Sequence, residues 1–202
     1  CECSRSEIRE ISSNGNYPGT CRNKKLNLLK GNQTWRILVP VQTLVCLKTF
    51  TNKIEKIDVS REMGDFVIKR RDGLPAYQLA SIIDDLELGV NLVIRGQDLR
   101  ASTGAQLFLA KCLNDSTFPA IRFVHHFLQN DDSGDKLSKT KGAHSLKMLK
   151  SKHRKPTWIY QETAKSLNLP FQEIRTLDDL KETFQSAMVL KDGQIKLLDR
   201  MN

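Results

Sequence analysis

Lys136, Ser138 and Lys139 lie in the stretch SGDKLSKTKGAHSL, residues 133–146. Two ammonium groups three residues apart, with a hydroxyl between them, can bracket a chain of phosphates, and Gly134 lets the backbone come close. An ordinary charged surface loop has a similar composition, so the surroundings decide. From 136 to 155 the chain carries eight Lys or Arg and no Asp or Glu. A solvated helix face mixes its signs, so one-signed clustering favours a surface that faces phosphate. Over all 202 residues Lys and Arg outnumber Asp and Glu by 32 to 23, a net charge of +9. That balance suits an acidic partner, nucleic acid first among them.

Three of the five cysteines, Cys1, Cys3 and Cys21, crowd into a polar opening segment rich in Ser, Asn and Gly. An odd count without a secretory leader argues against a disulfide scaffold. The thiols are expected to be reduced or bound to a metal, which would supply folding energy that so polar a segment lacks. Cys46 and Cys112 sit in apolar runs and are expected in the core. His125, His126 and His144 are expected to be structural residues near a phosphate site, one of the 125–126 pair facing a sheet and the other a cleft. His153 is expected at the surface. No run of eighteen apolar residues is present, so no membrane span is expected and the chain should work in the cytoplasm. It starts at Cys1 rather than at a methionine, which suggests a start partway through a longer protein or after processing.

The elements that must position these groups follow from pattern. Residues 34–50 are rich in β-branched and apolar types and read as strands broken at Pro40. Residues 64–71 alternate apolar and basic, and Asp72-Gly73 then predicts a turn. AYQLASIIDDLELG, from residue 76, is a mainly apolar run ending in acids. VNLVIRG is a short apolar run that ends on Arg95-Gly96, as a buried parallel strand with its functional group at the carboxyl end would. STGAQLFLAKCL reads as a helix capped by Ser102 or Thr103, with Ala105, Phe108, Leu109 and Cys112 at helical spacing. AIRFVHH is the next strand. Strand, helix, strand and a Gly-flanked basic loop is the grammar of a doubly wound α/β sheet, whose crevices bind nucleotides. Helices near 155–167 and 176–188 follow, with Leu169-Pro170 between them.

Lys136-Leu137-Ser138-Lys139-Thr140 resembles the "KMSKS" signature of class I aminoacyl-tRNA synthetases. The stretch from Gly64 to Leu113, with RFVHH before the loop and GAHSL after it, is similar to the glutamyl branch of that class. Two families of the branch compete. Full glutamyl-tRNA synthetases carry large anticodon-binding domains after the lysine loop; the short glutamyl-Q tRNA(Asp) synthetases lack them and attach glutamate to the queuosine base of tRNA(Asp). Only 62 residues follow Thr140 here, which suits the short family. Cys1-x-Cys3, thirteen residues, then Tyr17-Pro-Gly-Thr-Cys21 resembles the zinc site of that short family. Three thiolates are ordinary zinc ligands and a phenolate fourth is unusual. A packing role for Tyr17 is the bland alternative.

The resemblance implies the second half of a class I Rossmann-type fold, with a zinc-binding, strand-rich insertion over 1–75, the catalytic half over 76–145 and a helical segment over 146–202. It places Tyr77 and Arg95 in the glutamate site. An arginine fork grips a carboxylate and a phenol adds a directional hydroxyl, although a core aromatic and an Arg95–Asp98 ion pair are what the residues alone would favour. It gives Lys139, helped by Lys136 and Ser138, to the phosphates of ATP with Mg²⁺. Glutamate, ATP and tRNA, tRNA(Asp) foremost, are the implied partners of a monomer outside any membrane. The "HIGH"-like segment of the family is not found. These 202 residues are therefore expected to carry part of the ATP site and not to activate glutamate by themselves. The rival expectations are a shortened glutamyl-tRNA synthetase acting on tRNA(Glu), and a zinc-stabilised module that only binds RNA.

Overall fold

The computed structural model describes residues 1–27, 31–128, 146–153 and 155–187. The chain divides into two units, Cys1–His126 and Phe127–Asn202. Lys136, Ser138, Lys139 and His144 lie outside the described residues.

The first unit opens with helix α1 (Arg5–Ile11). Ser4 caps it, accepting from the Glu7 amide at 3.2 Å while its own amide donates to Glu7 Oε2 at 2.6 Å. This reciprocal pair satisfies two of the amides that a helix start leaves unbonded. Four strands follow as two antiparallel pairs: β1 (Trp35–Ile37) with β4 (Phe66–Lys69), and β2 (Leu44–Lys48) with β3 (Ile54–Asp58). Helix α2 (Val59–Glu62) leads from β3 towards β4. Alternation in β2 turns Val45 and Leu47 inward and Cys46 outward, so Cys46 is exposed and not a core residue. The Asp72-Gly73 turn forms as its residues predict, closed by the Arg70 amide donating to the Leu74 carbonyl at 2.8 Å.

The apolar run from residue 76 is helix α3 (Tyr77–Glu87), ended by Gly89 in the left-handed conformation at φ +63°. The Val90 amide then bonds back to the Asp85 carbonyl at 2.9 Å, the pattern by which a glycine closes a helix. Strand β5 (Leu92–Gly96), helix α4 (Arg100–Cys112) and strand β6 (Arg122–His126) form the expected unit. β5 and β6 pair in parallel from Leu92–Arg122 to Gly96–His126, so Arg95 and His125 stand side by side. β5 is less buried than a central parallel strand. Ile94 is 65% exposed, because β6 is its one strand neighbour among the described residues.

Residues 102–110 of α4 are all buried. The helix lies against β2, β3, α2 and α3, within one core that includes Val45, Leu47, Ile57, Phe66, Ile82 and Phe123. Ser102 and Thr103 are therefore inside the helix rather than its cap; Leu99 holds the cap position, without a side-chain bond. Cys112, at the last turn, has passed the edge of that core and is exposed. Gly104 permits a close approach: a Cβ there would stand 2.6 Å from Ile57 Cγ2.

The second unit contains α5 (Leu146–Lys152), α6 (Thr157–Ser166) and α7 (Leu177–Ala187). Ala164, Leu169 and Ile174 form its small core, with Tyr160, Phe171, Leu180 and Phe184 packed around them. His153 is exposed and stacks on Trp158 at 5.0 Å. Among the described residues no helix is long and apolar enough to cross a membrane.

Candidate functional site

Arg95 occupies the carboxyl end of β5, where a parallel α/β sheet presents its functional groups. One terminal nitrogen, Nη2, donates to Thr103 Oγ1 and, at 2.7 Å, to Gln106 Oε1, both on α4. Thr103 also bonds His125 Nε2 at 2.7 Å and the Leu99 carbonyl at 3.2 Å. Thr103 has one proton. If the carbonyl takes it, the oxygen is left to accept from Arg95 and from the His125 ring. The Phe123 ring lies 5.4 Å from the guanidinium carbon. Thr103 and Gln106 are three residues apart on one face of a helix that is otherwise buried all round. Two polar residues at that spacing in so apolar a helix are the signal the sequence carries for this role.

Burial pushes the Arg95 pKa down, since a guanidinium away from water loses solvation of its charge; Tyr77 and then Asp85 pull it back up. Tyr77 thus lies near enough to Arg95 to act on its charge. It begins α3 and is 53% exposed, a surface aromatic and not a core one. Gln78, next in sequence, donates to Ser102 Oγ at 3.0 Å and so ties the start of α3 to the start of α4. No ion pair among the described residues involves Arg95, and Asp85 is an acid that acts on it. His125 is held down to about 4, chiefly by burial and then by the Arg95 charge, so it is neutral near pH 7. The result is a partly buried cation held by neutral groups beside a phenol. Such a cation is matched to a carboxylate ligand.

The second cluster joins Cys1, Cys3 and Cys21, whose sulfurs all lie within 4.8 Å of one another. Cys3 and Cys21 Sγ are 3.5 Å apart. Sulfurs at ~2.3 Å from a tetrahedral ion would stand roughly 3.8 Å from each other, so the three fit a metal. The Tyr17 hydroxyl accepts from the Cys21 amide at 2.6 Å, at the edge of the same cluster. Burial raises the Cys21 thiol, but hydrogen bonds from the Glu2 backbone, Tyr17 and Cys3 outweigh it and leave it at about 7. Burial raises Cys3 and Tyr17. The chain folds this way because Ile8 of α1 packs on Tyr17 and Cys21, and because Thr34 bonds back to the Cys1 carbonyl through its amide and hydroxyl, each at 3.0 Å.

Three residues that the sequence did not single out brace this knuckle. Asp65, buried, accepts from the Val39 amide at 3.0 Å and from Arg22 Nε at 2.9 Å. Arg36 lies over the Tyr17 ring at 4.4 Å and donates to the Asp65 carbonyl at 3.2 Å. A cavity of about 410 Å³ opens beside the thiols, lined by Tyr17, Arg22, Lys25, Trp35, Arg36 and Asp65 among others.

Two parallel strands joined by a buried helix, with an arginine at the strand end, fit part of an α/β, Rossmann-type domain. The family of class I tRNA synthetases (E and Q), catalytic domain, matches residues 16–195, and the chain belongs to it. The chain is 35% identical over 178 residues to the glutamyl-Q tRNA(Asp) synthetase of Acinetobacter baylyi, covering 88% of this chain and 56% of that protein. To the protein of the same name from Vibrio parahaemolyticus it is 37% identical over 175 residues, 87% of this chain and 55% of the other. It spans about half the length of these curated relatives. Among solved structures, a glutamate-tRNA synthetase from Elizabethkingia anophelis superimposes with a TM-score of 0.53 at 24% identity, over 70% of this chain and 32% of that one. That likeness establishes the shared fold.

Proposed function

We propose that the protein carrying this chain activates glutamate with ATP and transfers it to the queuosine base of tRNA(Asp) in the cytoplasm. The observation that supports it most is Arg95, a partly buried cation with no acidic ion-pair partner among the described residues, placed beside Tyr77 at the strand end. The names of the relatives point to the same substrate and tRNA.

In the first step an oxygen of the α-carboxylate attacks the α-phosphorus of ATP, and pyrophosphate leaves with the electron pair of the broken P–O bond. In the second, a hydroxyl of the modified base attacks the carbonyl carbon of the adenylate and gives up its proton, and AMP leaves. Arg95 and Tyr77 orient glutamate through its second carboxylate. Lys139, helped by Lys136 and Ser138, takes the growing phosphate charge with Mg²⁺ as counter-ion; loss of one such preorganised contact typically costs on the order of 10²–10³ in rate. Cys1, Cys3, Tyr17 and Cys21 would hold zinc, which would supply folding energy to the amino-terminal knuckle; thiolates are its ordinary ligands.

The test is transfer of labelled glutamate by the full-length protein in the presence of ATP. Label on queuosine-bearing tRNA(Asp), lost when Arg95 is replaced by Ala, is the expected outcome. Label on tRNA(Glu) instead would identify a charging enzyme. Binding of tRNA with no response to ATP or glutamate would leave only an RNA-binding module.

A further inference from the structure

We propose that Gln106 is a positioning residue for substrate selectivity: its neutral amide holds the Arg95 guanidinium in place without cancelling its charge, so that the charge stays available to a carboxylate ligand. This rests on Arg95 being the group that receives the substrate carboxylate.

Gln106 and Thr103 are both fully buried on α4, and both accept from the same Arg95 nitrogen. A guanidinium only donates, which fixes the amide orientation: Oε1 faces Arg95 and Nε2 points elsewhere. There Nε2 is buried with no hydrogen-bond partner, as is Arg95 Nε. Unpartnered buried donors are rare because desolvating them is unfavourable, and each one calls for a reason. A glutamate at 106 would have nearly the same size and shape. It would remove the orphaned donor and place a charge-assisted bond on a partly buried cation. Against that bond stands the cost of burying the carboxylate, so shape and hydrogen bonding alone do not require the neutral amide. The neutral amide makes sense where Arg95 has to face an incoming anion with its charge intact.

Two further described neighbours agree. Thr103 is neutral, and His125, at about 4, carries no charge near pH 7. Asp85 acts on Arg95 from outside ion-pair distance.

Glutamate-dependent exchange of pyrophosphate into ATP by the full-length protein, with thermal melting by circular dichroism, tests the role. Gln106→Glu places an internal carboxylate on Arg95. KM for glutamate should rise about 10- to 100-fold, the worth of a charged hydrogen bond, while KM for ATP holds and the protein still melts cooperatively. Gln106→Met removes the acceptor without adding charge and should raise KM for glutamate by only about three- to tenfold. An unchanged glutamate KM in Gln106→Glu overturns the proposal. So does a Met variant as impaired as the Glu variant. Arg95→Ala separates the two levels: if it leaves glutamate dependence intact, the assignment of Arg95 itself fails; if it abolishes that dependence while Gln106→Glu behaves as wild type, only the role of Gln106 fails.

Discussion

Gly104→Ala is a change that helix propensity alone would favour. Ala exceeds Gly by about 1 kcal/mol in a helix interior, so the substitution would stabilise an isolated α4. The tertiary structure reverses the sign. The new Cβ would stand 2.6 Å from Ile57 Cγ2, 3.3 Å from Ile57 Cβ and 3.5 Å from Val59 Cγ2. Carbon atoms rest at about 3.5–4.0 Å, so the first contact overlaps by roughly 1 Å. Ile57 is fully buried, its branched side chain is stiff about χ1, and its Cβ is fixed to the β3 backbone. Overlap of this kind costs about 2–3 kcal/mol, the upper part of the range for overpacked cores. Set against the propensity gain, the net loss is about 1–2 kcal/mol, or roughly 2–8 °C in melting temperature for a chain this size. Urea denaturation followed by circular dichroism measures it. The strict check is the pair with Ile57→Ala, which removes Cγ2. In that background Gly104→Ala should become neutral or stabilising, and the two changes should be non-additive by about 1–3 kcal/mol. A Gly104→Ala protein more stable than wild type, or additive with Ile57→Ala, would refute the contact. The same displacement would shift Thr103 and Gln106, so the proposed glutamate binding should weaken along with stability.

Other outcomes follow from the same geometry. His125 has a pKa of about 4 when folded against 6.5 in the unfolded chain. Between these values the unfolded state binds more protons, so the group costs nothing above pH 6.5 and destabilises progressively as pH falls towards 4. With allowance for partial exposure the loss is about 1–2 kcal/mol, and His125→Gln should flatten that limb of a stability–pH profile; an unchanged limb would exclude His125 as its source. Asp65→Asn keeps the shape but gives up charged bonds to Arg22 and the Val39 amide, and should cost about 2 kcal/mol in urea unfolding; a loss below ~0.5 kcal/mol would mean that the half-exposed Arg22 contributes little. Chelation of the proposed zinc, or Cys21→Ser, should open the first 34 residues to protease and spare the core around Ile57 and Phe123, whereas equal protection with and without chelator would remove the metal from the folding of the knuckle. Arg36→Met should lower zinc affinity by about 10–100-fold in a chelator competition, as neighbours of metal ligands commonly do, and wild-type affinity would show Arg36 to be a packing residue only.

Local chemistry made several features legible in the amino-acid order alone. The run of cations without acids, the cysteine–tyrosine spacing and an arginine at the end of an apolar run depend on side-chain identity and short-range spacing, which a sequence carries directly. The β5–α4–β6 unit, the Asp72-Gly73 turn and the helices flanking Leu169-Pro170 depend on periodicity and turn chemistry, which are equally local. Burial is not local, and there the structure decided. Cys46 lies in an apolar run, yet the pleat of β2 and its pairing with β3 send it to solvent. Cys112 keeps the helical spacing of its neighbours but lies beyond the end of the core. Thr103 and Gln106 look like ordinary helix residues until the fold brings the Arg95 side chain, at the end of β5, within reach of them. Asp65, Arg36 and Gly104 gain their roles from partners up to 47 residues distant, at Arg22, Tyr17 and Ile57. The sequence determined which groups can grip a carboxylate, a phosphate or a metal. Only the tertiary structure determined which of them are desolvated together, because that depends on which surfaces the folded chain removes from water.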